Sequence, residues 1–240
     1  MTLNSSRGSP AFKKTLALLG FLLIAPVPTL GVWFAAFESS DSYGAVLWVA
    51  AKVWLLFVPV LWWRWVQKQP IAVPAPSRRA LTWGAGSGFL MAVGIFGAYW
   101  LLARPVIDFT ALAGLMASFS LDSVWTYLGL VVYLTLVNSL VEEYVFRWFM
   151  QVQLNALMPA IAAAAGSAAV FTLHHTVVLA AYIPWGFNVL ASLGIFLGAM
   201  IWSWMYRKTE NLWSAYISHI GADIGVFAIG YHVLFVAGSA

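Results

Sequence analysis

Charged residues punctuate this chain at wide intervals and leave long apolar runs between them, a pattern that predicts membrane-spanning helices. The uncharged stretch from Thr15 to Phe37 is long enough to cross about 30 Å of hydrocarbon. Arg7, Lys13 and Lys14 precede it like the basic start of a secretion signal. The apolar stretch is too long for a signal, and no convincing small-residue cleavage site follows, so it reads as a first transmembrane helix. A second span runs from Ser42 to Trp63, interrupted by Lys52, and a third lies between Arg79 and Arg104. A fourth begins after Asp122. No Asp, Glu, Lys or Arg occurs between Arg147 and Arg207, which leaves room for spans near 159–182 and 186–206. The last runs from Leu212 to Phe235. The expectation is an all-α, polytopic transmembrane helix bundle of about seven helices, a single membrane domain over residues 1–240. Residues 105–121 read as a loop or a short interfacial helix, and 69–79 as a connecting loop.

Composition agrees. Hydrophobic residues make up 62% and charged residues 8%, against roughly 45–50% and about 25% in soluble domains, and the mean hydropathy is +0.87. Twenty charged side chains cannot cover a water-soluble fold of this size, which excludes a soluble enzyme, a coiled coil and a disordered linker. The 14 Trp and 9 Tyr suit membrane interfaces. Cysteine is absent, so disulfides, a thiol nucleophile and a thiolate metal site are excluded.

Charge placement predicts orientation. With the N-terminus in the cytoplasm, the inside segments carry Arg7, Lys13, Lys14, Arg64, Lys68, Arg78, Arg79, Arg147, Arg207 and Lys208, and the outside segments only Arg104. That is the positive-inside bias. The net charge of +4 follows from it and says nothing about partners. No basic patch interleaved with aromatic residues suggests nucleic acid. Gly84/Gly88, Gly194/Gly198 and Gly221/Gly225 have the small-xxx-small spacing that lets helices approach closely.

Ionisable groups inside a bilayer cost about 2.5–3.5 kcal/mol each on insertion scales and mark function by default. Four sites qualify: Glu142-Glu143 with Arg147, His174-His175, His219 with Asp223, and Lys52. Glu143 and Arg147 share a helix face and can pair, leaving Glu142 a free carboxylate; the competing reading is an ordinary charged helix end. Asn138 lies one turn before Glu142. Phe171 and His175 share a face, with His174 turned away, so His174 is the adjacent control expected to tolerate substitution. A lone intramembrane histidine also serves as a plain helix–helix hydrogen-bond partner. His219 and Asp223 are one turn apart, so a carboxylate can fix which ring nitrogen faces a cavity. His232 reads as interfacial. Lys52 either snorkels or pairs with an acid.

Depth constrains any joint role for these residues. If the fourth helix ended at Arg147, Glu142 would lie near the surface while His175 lay deep. Assembly requires the helix to continue through Trp148-Phe149-Met150 to about Asn155.

Taken in order on three membrane helices, Glu142-Glu143-x-x-x-Arg147, Phe171-x-x-x-His175 and His219-x-x-x-Asp223 resemble the CPBP family. These are the CAAX-protease and bacteriocin-processing (Abi) intramembrane proteases, also called type II CAAX prenyl endopeptidases. The resemblance covers roughly 123–236, implying a catalytic four-helix core there and three accessory transmembrane helices over 1–104. It departs in one place, since the last motif usually ends in Asn. The family implies an intramembrane glutamic endopeptidase without metal or cofactor. Glu142 would be the general base, His175 would position the water, and His219, oriented by Asp223, would donate to the oxyanion. Glu143 and Arg147 would support the site structurally. The implied partners are the lipid bilayer and a membrane protein or lipidated peptide as substrate; a multi-pass place in a prokaryotic cytoplasmic membrane is expected. The sequence reads out neither the substrate nor the oligomeric state.

Other intramembrane chemistries fit less well. A zinc protease would want His-Glu-x-x-His on a helix, although Glu142, His175 and His219 could in principle hold a metal together. Gly86-Ser87-Gly88 lacks the first glycine of a rhomboid-type serine motif, and Gly221-Ala222-Asp223 lacks the second glycine of a presenilin-like one. A proton- or ion-coupled transporter remains an alternative, with Glu142, Arg147 and the histidines as a relay, as does a catalytically inactive scaffold of the same family.

Overall fold

The computed structural model describes residues 9–37, 42–72, 74–105, 123–181 and 183–236. Among them, seven helices are long and apolar enough to cross a membrane: α1 (Pro10–Phe37), α2 (Tyr43–Val66), α3 (Arg78–Ala103), α4 (Val124–Asn155), α5 (Ala160–Ala180), α6 (Trp185–Thr209) and α7 (Leu212–Val236). The expected spans are all present. The expected loop at 105–121 lies, apart from Pro105, outside the described residues.

Helix α1 is two segments, Pro10–Ile24 and Pro26–Phe37, broken at Ala25. Pro26 has no N–H, and its ring crowds the preceding turn. Large apolar side chains such as Phe89, Leu90, Leu101 and Ile161 are exposed along the bundle, as lipid contact requires, and Trp65, Trp125 and Trp185 are exposed near helix ends, where an interface suits them.

The core lies around the lower half of α4. Every residue from Val145 to Leu154 is buried, which marks a helix enclosed on all sides. α1, α2, α5, α6 and α7 surround it. α4 does run on through Trp148-Phe149-Met150 to Asn155, as a shared depth demands. Two wider π-helical stretches, Tyr133–Asn138 and Tyr144–Met150, flank its short α-helical segment Ser139–Glu143. Such insertions rephase a helix and recur at functional sites.

Two of the three small-xxx-small pairs are close helix contacts. A Cβ at Gly221 would lie 2.5 Å from the Gly88 backbone, one at Gly84 would lie 2.9 Å from the Ser214 carbonyl, and one at Gly225 3.0 Å from Ala92 Cα. α3 and α7 therefore touch backbone to backbone. Gly194 meets nothing within 4 Å and Gly198 only the Met91 methyl, so that pair makes no close contact. Gly221→Leu, which must push α3 off α7, is expected to cost about 1–3 kcal/mol, as overpacking does. A lowered thermal midpoint in detergent checks this, with Gly194→Leu as the unaffected comparison.

Candidate active site

The buried half of α4 presents Glu143 and Arg147 to each other, one turn apart and both fully buried. Arg147 Nε lies 3.2 Å from Glu143 Oε2. The guanidinium is also held among rings, 4.9 Å from the centre of Phe171 and 5.4 Å from that of Trp202. These contacts compensate a cation that would otherwise be prohibitively placed. The motif phenylalanine thus has a physical role, as a wall for the arginine on one side and the histidines on the other.

Glu143 has a second partner. Its Oε1 lies 3.0 Å from His219 Nδ1. A carboxylate oxygen accepts, so Nδ1 carries the proton and donates, and Nε2 is turned toward the space between α4 and α7. Nε2 there stands 3.7 Å from Glu142 Oε2 and 3.7 Å from Asp223 Oδ1. The ring lies flat on Trp202, with centroids 4.2 Å apart. Glu143, across the helix interface, is thus within bonding reach of Nδ1, while one helical turn places Asp223 beside Nε2.

Asp223 Oδ2 instead meets the Ser139 hydroxyl, which also lies 2.9 Å from the Leu134 carbonyl. The hydroxyl has one proton, which these two acceptors share in a bifurcated bond or compete for. Ser139 was not singled out by the sequence. A buried serine one turn before Glu143 is its only signature there.

Glu142 is the carboxylate on which the cluster converges. Asn138 Nδ2 donates to its Oε1 at 2.8 Å, His174 Nε2 lies 3.6 Å from the same oxygen, and His219 Nε2 lies 3.7 Å from the other. The two longer separations exceed hydrogen-bond length. His174 is therefore closer to the site than its place in the sequence suggested; its ring stacks on Phe146 at 5.5 Å. His175 is anchored differently. Its Nδ1 donates to the Phe171 carbonyl at 3.0 Å, which leaves Nε2 as the free acceptor. Ligand atoms of Glu142, His174 and His175 all lie within 4.8 Å of one another. That spacing could hold one water in hydrogen bonds or, after closing in, a divalent cation.

On α2, the Lys52 ammonium donates to Asn138 Oδ1, a neutral amide oxygen and not an acid. His232 stands apart, 2.8 Å from the Tyr99 hydroxyl near the other ends of α3 and α7. A cavity of about 50 Å³ opens onto Glu142, Lys52 and His174 between α1, α2 and α4, room for a few waters.

The model of the Rce1-like type II CAAX prenyl endopeptidase family matches residues 123–225, which include all three motifs and the side chains just described except Lys52, Tyr99, the cavity residues of α1 and α2, and His232. No curated protein and no solved structure matches the chain. From the start of α4 through most of α7, this multi-pass membrane protein therefore matches the Rce1-like type II CAAX prenyl endopeptidases, a protease family.

Proposed function

We propose that the protein is an intramembrane endopeptidase that hydrolyses a peptide bond of a membrane-associated or lipidated substrate with a water activated by Glu142. The observation that carries this reading is the convergence of three helices on one carboxylate beside a small cavity: His174 at 3.6 Å, His219 at 3.7 Å and Asn138 at 2.8 Å. A positioned carboxylate in a dry site is a general base. Glu142 takes one proton from the water, and the free Nε2 of His175 accepts a hydrogen bond from the other hydrogen. The hydroxide adds to the scissile carbonyl carbon. The developing oxyanion is met by a donor already in place, a proton on His219 Nε2. While Glu142 holds the water's proton, the Asp223 carboxylate 3.7 Å from that nitrogen compensates a positive charge on the ring. Glu142 then returns its proton to the departing amine, so the peptide bond breaks to an acid and an amine with one water consumed.

The test is cleavage of a quenched prenylated CAAX peptide by the purified protein in detergent, with and without a strong chelator. Turnover that survives chelation supports the glutamate-activated water. Turnover that disappears on chelation and returns with zinc would replace it with a metal held by Glu142, His174 and His175, the second reading their spacing favours.

Asp223→Asn tests the corner where the chain departs from the usual motif. The amide would donate to Ser139 Oγ, freeing the hydroxyl to donate to Leu134, and its oxygen would still face His219. Activity is expected to stay within about fivefold, the scale of one neutral hydrogen bond. A loss of all turnover in that variant would give the Asp223 carboxylate a direct part in the reaction.

A further inference from the structure

We propose that the start of α3 and the end of α6 form a seat for an anionic phospholipid, its headgroup held by Arg79, Arg207 and Lys208 beside the stacked indoles of Trp83 and Trp204. None of the residues assigned to catalysis builds this seat, and it does not depend on the peptidase reading.

Depth is the first argument. Trp83 lies five residues beyond Arg78, where α3 begins, and Trp204 five residues before Thr209, where α6 ends. At 1.5 Å rise per residue, both indoles sit about 7–8 Å from those helix ends. There the two rings meet, with centroids 5.2 Å apart and planes within 8° of parallel. Indoles at such a depth belong to the boundary between acyl chains and headgroups. Arg79 is one turn nearer the start of α3 than Trp83, and Arg207 and Lys208 are one turn nearer the end of α6 than Trp204. Residues three and four apart share a helix face. On both helices the cations therefore stand on the side of the ring and at the level of lipid phosphates.

Availability is the second. The Arg79 guanidinium lies over the Trp83 ring, 4.5 Å from its centre. Stacking on the face of a ring leaves the edge N–H groups free, and a guanidinium edge takes two oxygens of one phosphate. Arg79, Arg207 and Lys208 are exposed, and among the described residues no carboxylate pairs with any of them. Nor do the indole N–H groups of Trp83 and Trp204 meet an acceptor among the described residues. The corner thus offers three cations and two neutral donors. The contact between Trp83 and Trp204 gathers these charges from two helices, where they repel one another unless an anion lies among them. Cations that served orientation alone would need neither a shared level nor a ring to rest on. Arg64 and Lys68, at the end of α2, stack on no ring among the described residues and provide the comparison.

The experiment titrates the purified protein, in a neutral detergent, with phosphatidylglycerol and separately with phosphatidylcholine. Bound lipid is read by native mass spectrometry and by the rise in thermal midpoint. Phosphatidylglycerol is expected to bind about 10- to 100-fold more tightly, at about fivefold for each cation beside the headgroup. The triple variant Arg79→Gln, Arg207→Gln, Lys208→Gln is expected to bring that ratio to about one, and Arg64→Gln with Lys68→Gln to leave it unchanged. Trp204→Leu keeps every charge and removes the stack, and is expected to lower the ratio about three- to tenfold. Inorganic phosphate in excess is expected to leave the lipid bound. Equal binding of the two lipids by the unaltered protein overturns the proposal and needs no variant to do so. A loss of preference in the Arg64 and Lys68 variant as large as in the triple variant would mean attraction by overall charge, and the seat falls. A ratio untouched by Trp204→Leu would likewise make it charge alone. Full displacement of the lipid by inorganic phosphate would make this a site for a soluble anion, and would also overturn it.

Discussion

Glu142→Gln is expected to reduce peptide hydrolysis by about a thousandfold or more while leaving the bundle folded, because general-base catalysis by a positioned group supplies about 10²–10⁴ in rate and this group also creates the nucleophile. The substitution isolates proton acceptance. A glutamine oxygen still accepts from Asn138, as Glu142 Oε1 does at 2.8 Å, and the side chain keeps its volume beside His174. KM should therefore change little and kcat should collapse. The measurement is turnover of the quenched peptide together with a thermal unfolding curve in the same detergent. Substantial turnover by the folded variant would remove Glu142 as the base.

Glu143→Gln gives the contrasting signature. Glu143 is fully buried and serves both Arg147 and His219. Removing its charge leaves a buried guanidinium uncompensated, a defect on the scale of about 3–5 kcal/mol. Adjacent glutamates in one motif thus divide into a group whose loss stops chemistry in a folded protein and a group whose loss lowers the melting temperature together with the turnover that depends on the His219 ring it holds.

The seven spans were legible because length and charge spacing are enough to place helices in a bilayer. The continuation of α4 past Arg147 was legible too, since three motifs can meet only at one depth. The relations between helices were harder to see. Which carboxylate reaches His219 Nδ1 depends on the rotation of α4 against α7, and the π-helical turns at Tyr133–Asn138 and Tyr144–Met150 alter that rotation. Helical-wheel spacing on α7 pointed to Asp223, which stands 3.7 Å from Nε2, but could not show Glu143 reaching Nδ1 from across the interface. Glycine spacing carried the same ambiguity. Gly84/Gly88 and Gly221/Gly225 lie against the backbone of the facing helix, while Gly194/Gly198, with the same spacing, makes no close contact. Lys52 and Asn138 are in contact across 86 positions of sequence, and no local pattern announces such a pair.

The two adjacent histidines of α5 should separate in the same way. His175 has its ring anchored by the Phe171 carbonyl at 3.0 Å, which fixes the tautomer and leaves Nε2 as an acceptor. A pre-oriented acceptor next to the attacking water contributes to the reaction itself, so His175→Ala is expected to lower kcat by about 10²–10³ with KM little changed. His174 has an unpartnered, buried Nδ1 and a ring stacked on Phe146, with Nε2 3.6 Å from Glu142. In the proposed reaction it supports the glutamate electrostatically from beyond hydrogen-bond length and closes the cavity wall. His174→Ala is expected to cost about tenfold, more than the mild change that its sequence position alone suggested. The readout that separates the roles is partial rescue. His174→Phe or His174→Gln restores the wall and recovers part of the rate, whereas His175→Phe, which lacks an acceptor nitrogen, recovers none. The opposite order, with His174→Ala dead and His175→Ala near normal, would make His174 the water-positioning histidine and shift the motif by one residue, a result the 3.6 Å contact would then explain.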